Sequence, residues 1–114
     1  MRVERESRQL TVYVAEPHLH GRRGKVDELL RRTASAGASG ATVLVAYQGF
    51  GRRHSHEPTV WHTVDETPLT VIFVDTAERI EHVLAVLDEL LPDVVAVAEE
   101  VRSVRYIRPH THSG

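Results

Sequence analysis

The apolar residues of the chain are grouped in short segments that are typical of β-strands. In residues 10–16 apolar side chains alternate with less apolar ones, and residues 41–48 form a nearly continuous apolar run too short for an independent helix. Residues 68–74 and residues 94–97, the latter extended by part of 101–107, share this β-branched and apolar character. The pattern therefore predicts four strands.

Two further segments carry apolar residues at helical spacing. The first runs from Arg22 to about Gly37, where glycine supplies the positive φ that ends a helix. The second follows a capping box of Asp75 and Glu78 and stops before Pro92. The resulting order β-α-β-β-α-β predicts an α+β fold, a ferredoxin-like sandwich whose antiparallel four-stranded sheet carries two helices on one face.

The predicted second and third strands are apolar on both faces. Val43 and Val45 alternate with Leu44 in one, and Phe73 alternates with Val74 in the other. Because two helices cover only one face, the second face would be a larger apolar patch than soluble monomers usually expose. We therefore expect a homo-oligomer packed sheet to sheet, and the alternative is a monomer whose own termini cover the face.

Composition favours one domain of 114 residues, with a core at about 10–107 and flexible ends at 1–9 and 108–114. The chain has no cysteine, which excludes disulfides, thiolate zinc sites and cysteine nucleophiles. Its charged beginning is not followed by an apolar stretch, which predicts a cytoplasmic protein without membrane insertion. The formal net charge of −2 and the lack of paired stacking aromatics predict no nucleic-acid partner.

The connection 50–67 is long for a hairpin in a compact domain, which is typical of a functional or disordered loop. Gly49 and Gly51 allow a sharp exit from the second strand, and positive or protonatable side chains follow. These side chains are Arg52, Arg53, His54 and His56. Since arginine forks suit phosphates and carboxylates, the loop is predicted to bind an anionic metabolite or a nucleotide. The alternative is a solvated loop with scattered charge.

Lys25 is a further candidate ligand contact, since it opens the first helix and helix N-termini favour anions. The preceding Gly21-Arg22-Arg23-Gly24 lacks the Walker spacing, so nucleotide hydrolysis is not predicted, and an ordinary basic helix start is the alternative. The chain also lacks a nucleophile elbow and convincingly paired carboxylates. We therefore predict that the protein is not an enzyme, and the sequence requires no cofactor.

Eight histidines include three His-x-His pairs, in which two imidazoles of an extended segment face the same way. The pairs are His18 with His20, His54 with His56, and His110 with His112. A metal at His54 and His56 would need a carboxylate such as Glu57 or a histidine from a neighbouring subunit. Protonation of several histidines near pH 6 would also reverse the sign of the net charge.

Several segments together resemble a known family over about residues 10–106. They are His20-Gly21-Arg22, Gly40-Ala41-Thr42-Val43, Gly49-Phe50-Gly51, His56, and Val74-Asp75 before a helix. The resemblance is to the family catalogued as domain of unknown function 190, whose members look like PII signalling proteins. It implies a ferredoxin-like homotrimer with small-molecule clefts between subunits. It also implies a mobile loop after the second strand, here 50–67, that changes order on ligand binding and contacts a partner protein.

The chain departs from typical PII proteins between the second helix and the last strand. They bind adenine nucleotides there through a glycine-rich loop, whereas this chain has Leu91-Pro92-Asp93-Val94, so the resemblance leaves the ligand unidentified. Two alternatives stay open at this point. One is a metal-binding trimer of the same fold that uses His-x-His pairs, and the other is a small, dimeric α+β barrel enzyme with a histidine acid/base such as His56.

Overall fold

Strands and helices follow one another in the predicted order, with a small hairpin added in the long connection. The computed structural model describes residues 1–17, 24–45, 50–52, 58–60 and 66–109. The elements are β1 (Arg2–Pro17), α1 (Lys25–Ser35), β2 (Thr42–Val45), β3 (Phe50–Arg52), β4 (Pro58–Val60), β5 (Glu66–Asp75), α2 (Ala77–Leu90) and β6 (Val95–Tyr106).

The main sheet has the strand order β2-β5-β1-β6, and every neighbouring pair in it is antiparallel. Its central strand β1 pairs with β5 on one side and with β6 on the other, so Leu10 lies opposite both Phe73 and Ala98. The predicted α+β, ferredoxin-like fold is confirmed. Strands β3 and β4 form a separate two-stranded sheet.

The core lies between the sheet and the two helices. Alternate residues of β1 and β5 point to the helices, which contribute residues at helical spacing. The fully buried members of this core include Leu10, Val12, Val71 and Phe73 of the sheet, and Leu29, Ile80 and Val83 of the helices. Burial of each such side chain contributes about 1.5–3 kcal/mol, which fixes the helices on one face of the sheet.

Helix α1 ends as its glycine predicts. Gly37 has φ of 100°, its N–H donates to the Ala34 carbonyl at 3.1 Å, and the Ala38 N–H donates to the Thr33 carbonyl at 3.0 Å. These two bonds form a Schellman motif, which satisfies carbonyls that the helix end would leave unpaired. The chain is thereby turned towards β2.

Helix α2 begins one residue later than the capping box predicts. Its N-cap is Thr76, whose hydroxyl accepts a hydrogen bond from the Arg79 N–H at 3.2 Å. Asp75 still belongs to β5, where it lies opposite Arg8, so its carboxylate does not act as the N-cap. The predicted cap at Asp75 is therefore wrong by one position.

The first and last strands of the chain are longer than predicted. β1 begins at Arg2 rather than at Leu10, and residues 2–9, which were expected to be a flexible end, pair with residues 99–106 of β6. Pairing needs backbone hydrogen bonds rather than apolar side chains, so charged residues form this two-stranded ribbon beyond the end of β5. We call residues 2–7 and 101–106 the ribbon. The predicted flexible residues 110–114 lie outside the described residues.

Candidate functional site

The segment predicted to bind the ligand is attached at one end of the sheet. Val45, the last residue of β2, lies opposite Leu69 near the start of β5, and Glu66 lies opposite Pro17 at the end of β1. Since helix α1 follows β1 and helix α2 precedes β6, α1 begins and α2 ends at this same end. We call it the loop end.

Within the predicted 50–67 loop the structure describes a short hairpin. β3 pairs with β4, with Phe50 opposite Val60 and Gly51 opposite Thr59. Gly51 and Arg52 therefore belong to a strand, rather than to the irregular turn that the glycine suggested. The other candidates of this segment, Gly49, Arg53, His54 and His56, lie outside the described residues. Their roles in binding an anion or a metal stay predictions.

Lys25 lies at the loop end and contacts the protein itself. Its Nζ donates to the main-chain carbonyl of Leu90 at 3.4 Å, at the C-terminal end of α2. A cation at this position complements the negative end of the helix dipole. The contact is structural, and a role for Lys25 in ligand binding stays a prediction.

The sheet has a second face that no described element covers. Residues that pair across strands share a face, so the side opposite the buried Leu10 can be read from the register. We call it the open face. It carries Gln9, Thr11 and Tyr13 of β1, Thr42 and Leu44 of β2, Thr70, Ile72 and Val74 of β5, and Val95, Val97 and Glu99 of β6.

Large apolar side chains of the open face are exposed. Leu44 has 51%, Val95 59% and Val97 41% of its surface accessible, and Tyr13 and Val74 are similarly exposed. Two sheet faces that are both apolar were expected from the alternation of residues in β2 and β5. The helices cover one of them, and on the other these exposed apolar side chains lie among polar ones such as Thr42 and Thr70, a mixed surface of the kind that interfaces use.

At the opposite end of the sheet, a buried carboxylate joins three segments. The side chain of Asp75 accepts hydrogen bonds from the main-chain N–H of Ser39 at 2.7 Å and of Thr76 at 2.9 Å. Arg79 Nη1 lies 3.4 Å from the same carboxylate and donates to the Ser39 hydroxyl at 2.8 Å. These bonds tie the α1–β2 connection to the first turn of α2.

The same contacts set the charge of Asp75. Burial alone raises the pKa of this carboxyl, because a charge is poorly solvated inside a protein. Hydrogen bonds from the Ser39 and Thr76 N–H groups, and from the Arg79 and Ser39 side chains, outweigh burial and hold the pKa below its ordinary value. Asp75 is therefore a carboxylate at neutral pH.

A cavity of about 170 Å³ lies between this corner and the ribbon. The ribbon contributes Arg5 and Ser7 of β1 with Ser103 and Arg105 of β6, and the Ser39–Asp75–Thr76 corner faces them. The Oγ atoms of Ser7 and Ser103 are 2.8 Å apart. Sequence reasoning missed this cavity because it treated residues 1–9 as a free end.

A charge pattern in the sequence could have revealed the ribbon. In the observed register Glu6 lies opposite Arg102 and Arg8 lies opposite Glu100, and the Arg8–Glu100 pair is formed at 3.2 Å. Opposite charges at facing positions stabilise antiparallel strands. The two charged segments are thus complementary at these two facing pairs when they are aligned antiparallel.

Two findings limit other functions over the described part of the chain. Neither of the helices described has the length and apolar character needed to cross a membrane. The described residues also hold no group of three or more histidine, aspartate or glutamate side chains placed to bind a metal ion. His54 and His56 are not among the residues to which this applies.

Solved structures with the same fold include several PII-like proteins. CPII of Thiomonas intermedia K12, described as a nitrogen regulatory PII-like protein bound to ADP, AMP and bicarbonate, matches with a TM-score of 0.62 and 14% identity, over 92% of this chain and 100% of CPII. CutA of Synechococcus elongatus matches with a TM-score of 0.61 and 17% identity, over 90% and 85%. GlnK of B. subtilis in complex with ATP gives 0.58 and 14%, over 84% and 82%.

At these identities the likeness shows a shared fold. No curated protein was found that matches the chain significantly. A family's sequence model, in contrast, matches residues 7–103, which includes both helices and most of the main sheet. The chain therefore belongs to the family DUF190, described as an uncharacterised ACR, with the PII-like fold that its sequence motifs predicted.

Proposed function

We propose that this protein is a PII-like regulator of the cytoplasm that senses a small molecule and is not an enzyme. In this proposal it works as a homotrimer, binds an anionic metabolite or nucleotide at clefts between subunits, and signals to a partner protein through the 50–67 segment. The observation that carries the proposal is the exposed apolar open face, on a sheet whose loop end bears the basic segment.

The occupant of the open face is proposed to be further copies of the same chain. The patch runs across all four strands of the main sheet, and β2 and β6 form its edges. Edge strands with exposed apolar neighbours are aggregation hazards unless a partner covers them. Self-association can cover the apolar open face and the edge strands together. The family resemblance to PII proteins supports three subunits.

The oligomer is tested by the mass of the untagged protein in light scattering. We expect about three times the 12.8 kDa mass of the chain. Val97→Lys should dissociate it, because a lysine ammonium would be buried in the interface without a partner. Val104→Lys is the matched control, since Val97 and Val104 lie in the same strand and are 41% and 42% exposed, but Val104 is not on the open face.

The measured mass separates the alternatives. A monomeric wild type, or a Val97→Lys variant that keeps the wild-type mass, would refute the use of the open face. A dimer would favour the α+β barrel enzyme over the PII-like regulator. A trimer disrupted by Val97→Lys and not by Val104→Lys is the expected result.

Binding of an oxyanion by this fold is supported by two of the structural relatives. CPII was solved with ADP, AMP and bicarbonate, and GlnK was solved with ATP, so this fold accommodates phosphate and carboxylate-like groups. In this chain Arg52 and Arg53 are guanidinium groups of the segment attached to the loop end. Arginine forks bind both kinds of oxyanion.

The ligand is sought in a thermal-shift screen of nucleotides and anionic metabolites. A ligand that binds only the folded protein raises its melting temperature. Arg52→Ala with Arg53→Ala should abolish this rise, whereas Arg2→Ala with Arg102→Ala, an equal charge change in the ribbon, should leave it intact. The loop site is wrong if no compound stabilises the wild type, or if both double variants respond alike.

Metal binding is tested separately. Protein purified without a tag and without a metal column should contain no stoichiometric ion if the regulator proposal is right. A stoichiometric zinc, copper or nickel ion that is lost in a His54→Ala, His56→Ala variant would instead support the metal-binding trimer.

A further inference from the structure

We propose that the cavity between the ribbon and the Asp75 corner is a second anion site, which binds one small phosphate or carboxylate group. It lies at the opposite end of β5 from the point where the 50–67 segment joins the sheet. The cavity borders the open face, since Val74 belongs to both, so the inference rests on the proposed function in one respect: this end of the sheet stays accessible in the oligomer.

The register places two arginines side by side at the cavity. Arg5 lies opposite Ser103, and Arg105 lies opposite Val3, so the two arginines are diagonal neighbours on one face of the ribbon. Diagonal neighbours in an antiparallel pair are about 7–8 Å apart, within reach of long side chains. Both side chains line the cavity and can converge on a single oxyanion.

Several other arginines have an acidic partner, whereas Arg5 and Arg105, like Arg2 and Arg102, form no ion pair with a described residue. Arg8, Arg32 and Arg79 each form an ion pair with a carboxylate. Among the residues that the structure describes, Arg5 and Arg105 form none, and their facing residues, Ser103 and Val3, are uncharged. Two like charges held close together favour the binding of an anion, although the Asp75 carboxylate that lines the same cavity opposes it.

The other face of the ribbon shows what charge balance looks like in the same two strands. There Glu4 and Glu6 accompany Arg2 and Arg102, and Glu6 faces Arg102 directly, so acidic and basic side chains are equal in number. A ribbon that served only to extend the sheet would gain from complementary pairs on both faces. The unbalanced face is also the one that borders the cavity.

Hydroxyl groups supply further donors at the base of the cavity. Ser7 is 5% exposed, and its Oγ shares one hydrogen bond of 2.8 Å with Ser103 Oγ. One of the two hydroxyl hydrogens forms that bond. The other has only the Arg5 carbonyl oxygen, 3.4 Å from each Oγ, as an acceptor among the described residues. It can therefore turn towards an oxygen of a bound anion at little cost.

The Asp75 corner restricts which anions fit. Its carboxylate lines the cavity, but its oxygens already accept bonds from Ser39, Thr76 and Arg79, which disperse its charge. The cavity volume of about 170 Å³ is below the range of about 300–1,000 Å³ that is typical of drug-sized ligands. The site therefore suits a small oxyanion and not a whole nucleotide.

The test is calorimetric titration of the full chain with inorganic phosphate and, separately, with succinate. Arg5→Gln and Arg105→Gln should each weaken binding about tenfold, which is the effect of one lost charge-assisted contact. Arg2→Gln and Arg102→Gln are the matched controls, with the same charge change in the same strands on the opposite face. They should change the affinity less than about twofold.

The outcomes identify the ligand class or overturn the site. Binding of phosphate alone, succinate alone, or both, each weakened by Arg5→Gln and Arg105→Gln, assigns the oxyanion that the site accepts. The site is refuted if wild-type protein binds neither probe at millimolar concentration, or if the controls weaken binding as much as the cavity variants. It is refuted too if Arg52→Ala with Arg53→Ala removes the binding and Arg5→Gln does not, a result that would assign the anion to the loop end instead.

Discussion

Replacing Asp75 by asparagine should destabilise the protein, because the carboxylate accepts bonds from two main-chain N–H groups. Its Oδ2 accepts from Ser39, and its Oδ1 accepts from Thr76 and faces Arg79. An asparagine retains one acceptor oxygen, so its amide N–H₂ must face one of these donors. Asp75 is 6% exposed, so water cannot easily replace the lost acceptor.

The magnitude follows from the number of bonds lost. A hydrogen bond to a charged group contributes about 1.5–3 kcal/mol, and at least one is replaced by a contact between two donors. We therefore expect Asp75→Asn to lower the free energy of unfolding by about 2 kcal/mol, or the melting temperature by roughly 10 °C. Asp88→Asn, the same change at an exposed position of α2, should alter it by less than about 0.5 kcal/mol.

The effect of Asp75 also depends on pH. Because its folded pKa lies below the ordinary value of about 3.9, its stabilisation is fully present above the unfolded pKa. It is lost as the pH falls through the folded pKa, since the folded state then binds the proton. The difference in unfolding free energy between wild type and Asp75→Asn should therefore narrow below about pH 4.

Urea unfolding followed by circular dichroism measures both effects. The protomer concentration must be held constant, since self-association makes apparent stability depend on it. An Asp75→Asn variant as stable as Asp88→Asn at neutral pH would refute the role of the corner. A difference that stays constant or widens in acid would refute the assigned charge.

Four other substitutions test the fold. Gly37→Ala should lower the free energy of unfolding by about 1 kcal/mol, and Gly40→Ala should lower it much less. A Cβ added at either position would meet no atom within 4 Å, so the difference reflects the positive φ of Gly37 alone. Equal melting temperatures of the two variants would contradict this. Leu29→Ala, at a fully buried site, should lower the unfolding free energy by about 2–5 kcal/mol in urea titrations, and a loss below about 1 kcal/mol would mean that the core is misassigned. Thr33→Val should cost about 1 kcal/mol by the same measurement, since the Thr33 hydroxyl donates to the Leu29 carbonyl at 2.7 Å, and unchanged stability would show that this bond contributes nothing.

Elements with a buried face were the predictable part of this fold. The alternation in residues 10–16 and the helical spacing of Ile80, Val83 and Leu87 reflect contact with one core, so periodicity located them correctly. The Gly37 turn was predictable because few residues other than glycine adopt its φ of 100°. In each case a single local physical requirement determines the residue type.

The ribbon was not predictable by that route, because it buries little and is held by backbone pairing. The strand that starts at Arg2 carries charges on both faces, which hydrophobic periodicity treats as a solvated end. Its position depends on β6, which lies more than 80 residues away in sequence, and on complementary charges such as Arg8 with Glu100. The cavity with Arg5 and Arg105 depends on that pairing and could not be predicted without it.

The placement of the two proposed sites restricts how they could influence each other. The loop end and the Asp75 corner are joined by β5, whose ten residues span about 30 Å at the usual rise of a strand. An anion at the ribbon therefore lies about that far from the point where the 50–67 segment joins the sheet of the same subunit. Any coupling between the two sites, through the shared sheet or through contacts between subunits, would appear as a change in affinity that is equal in both directions.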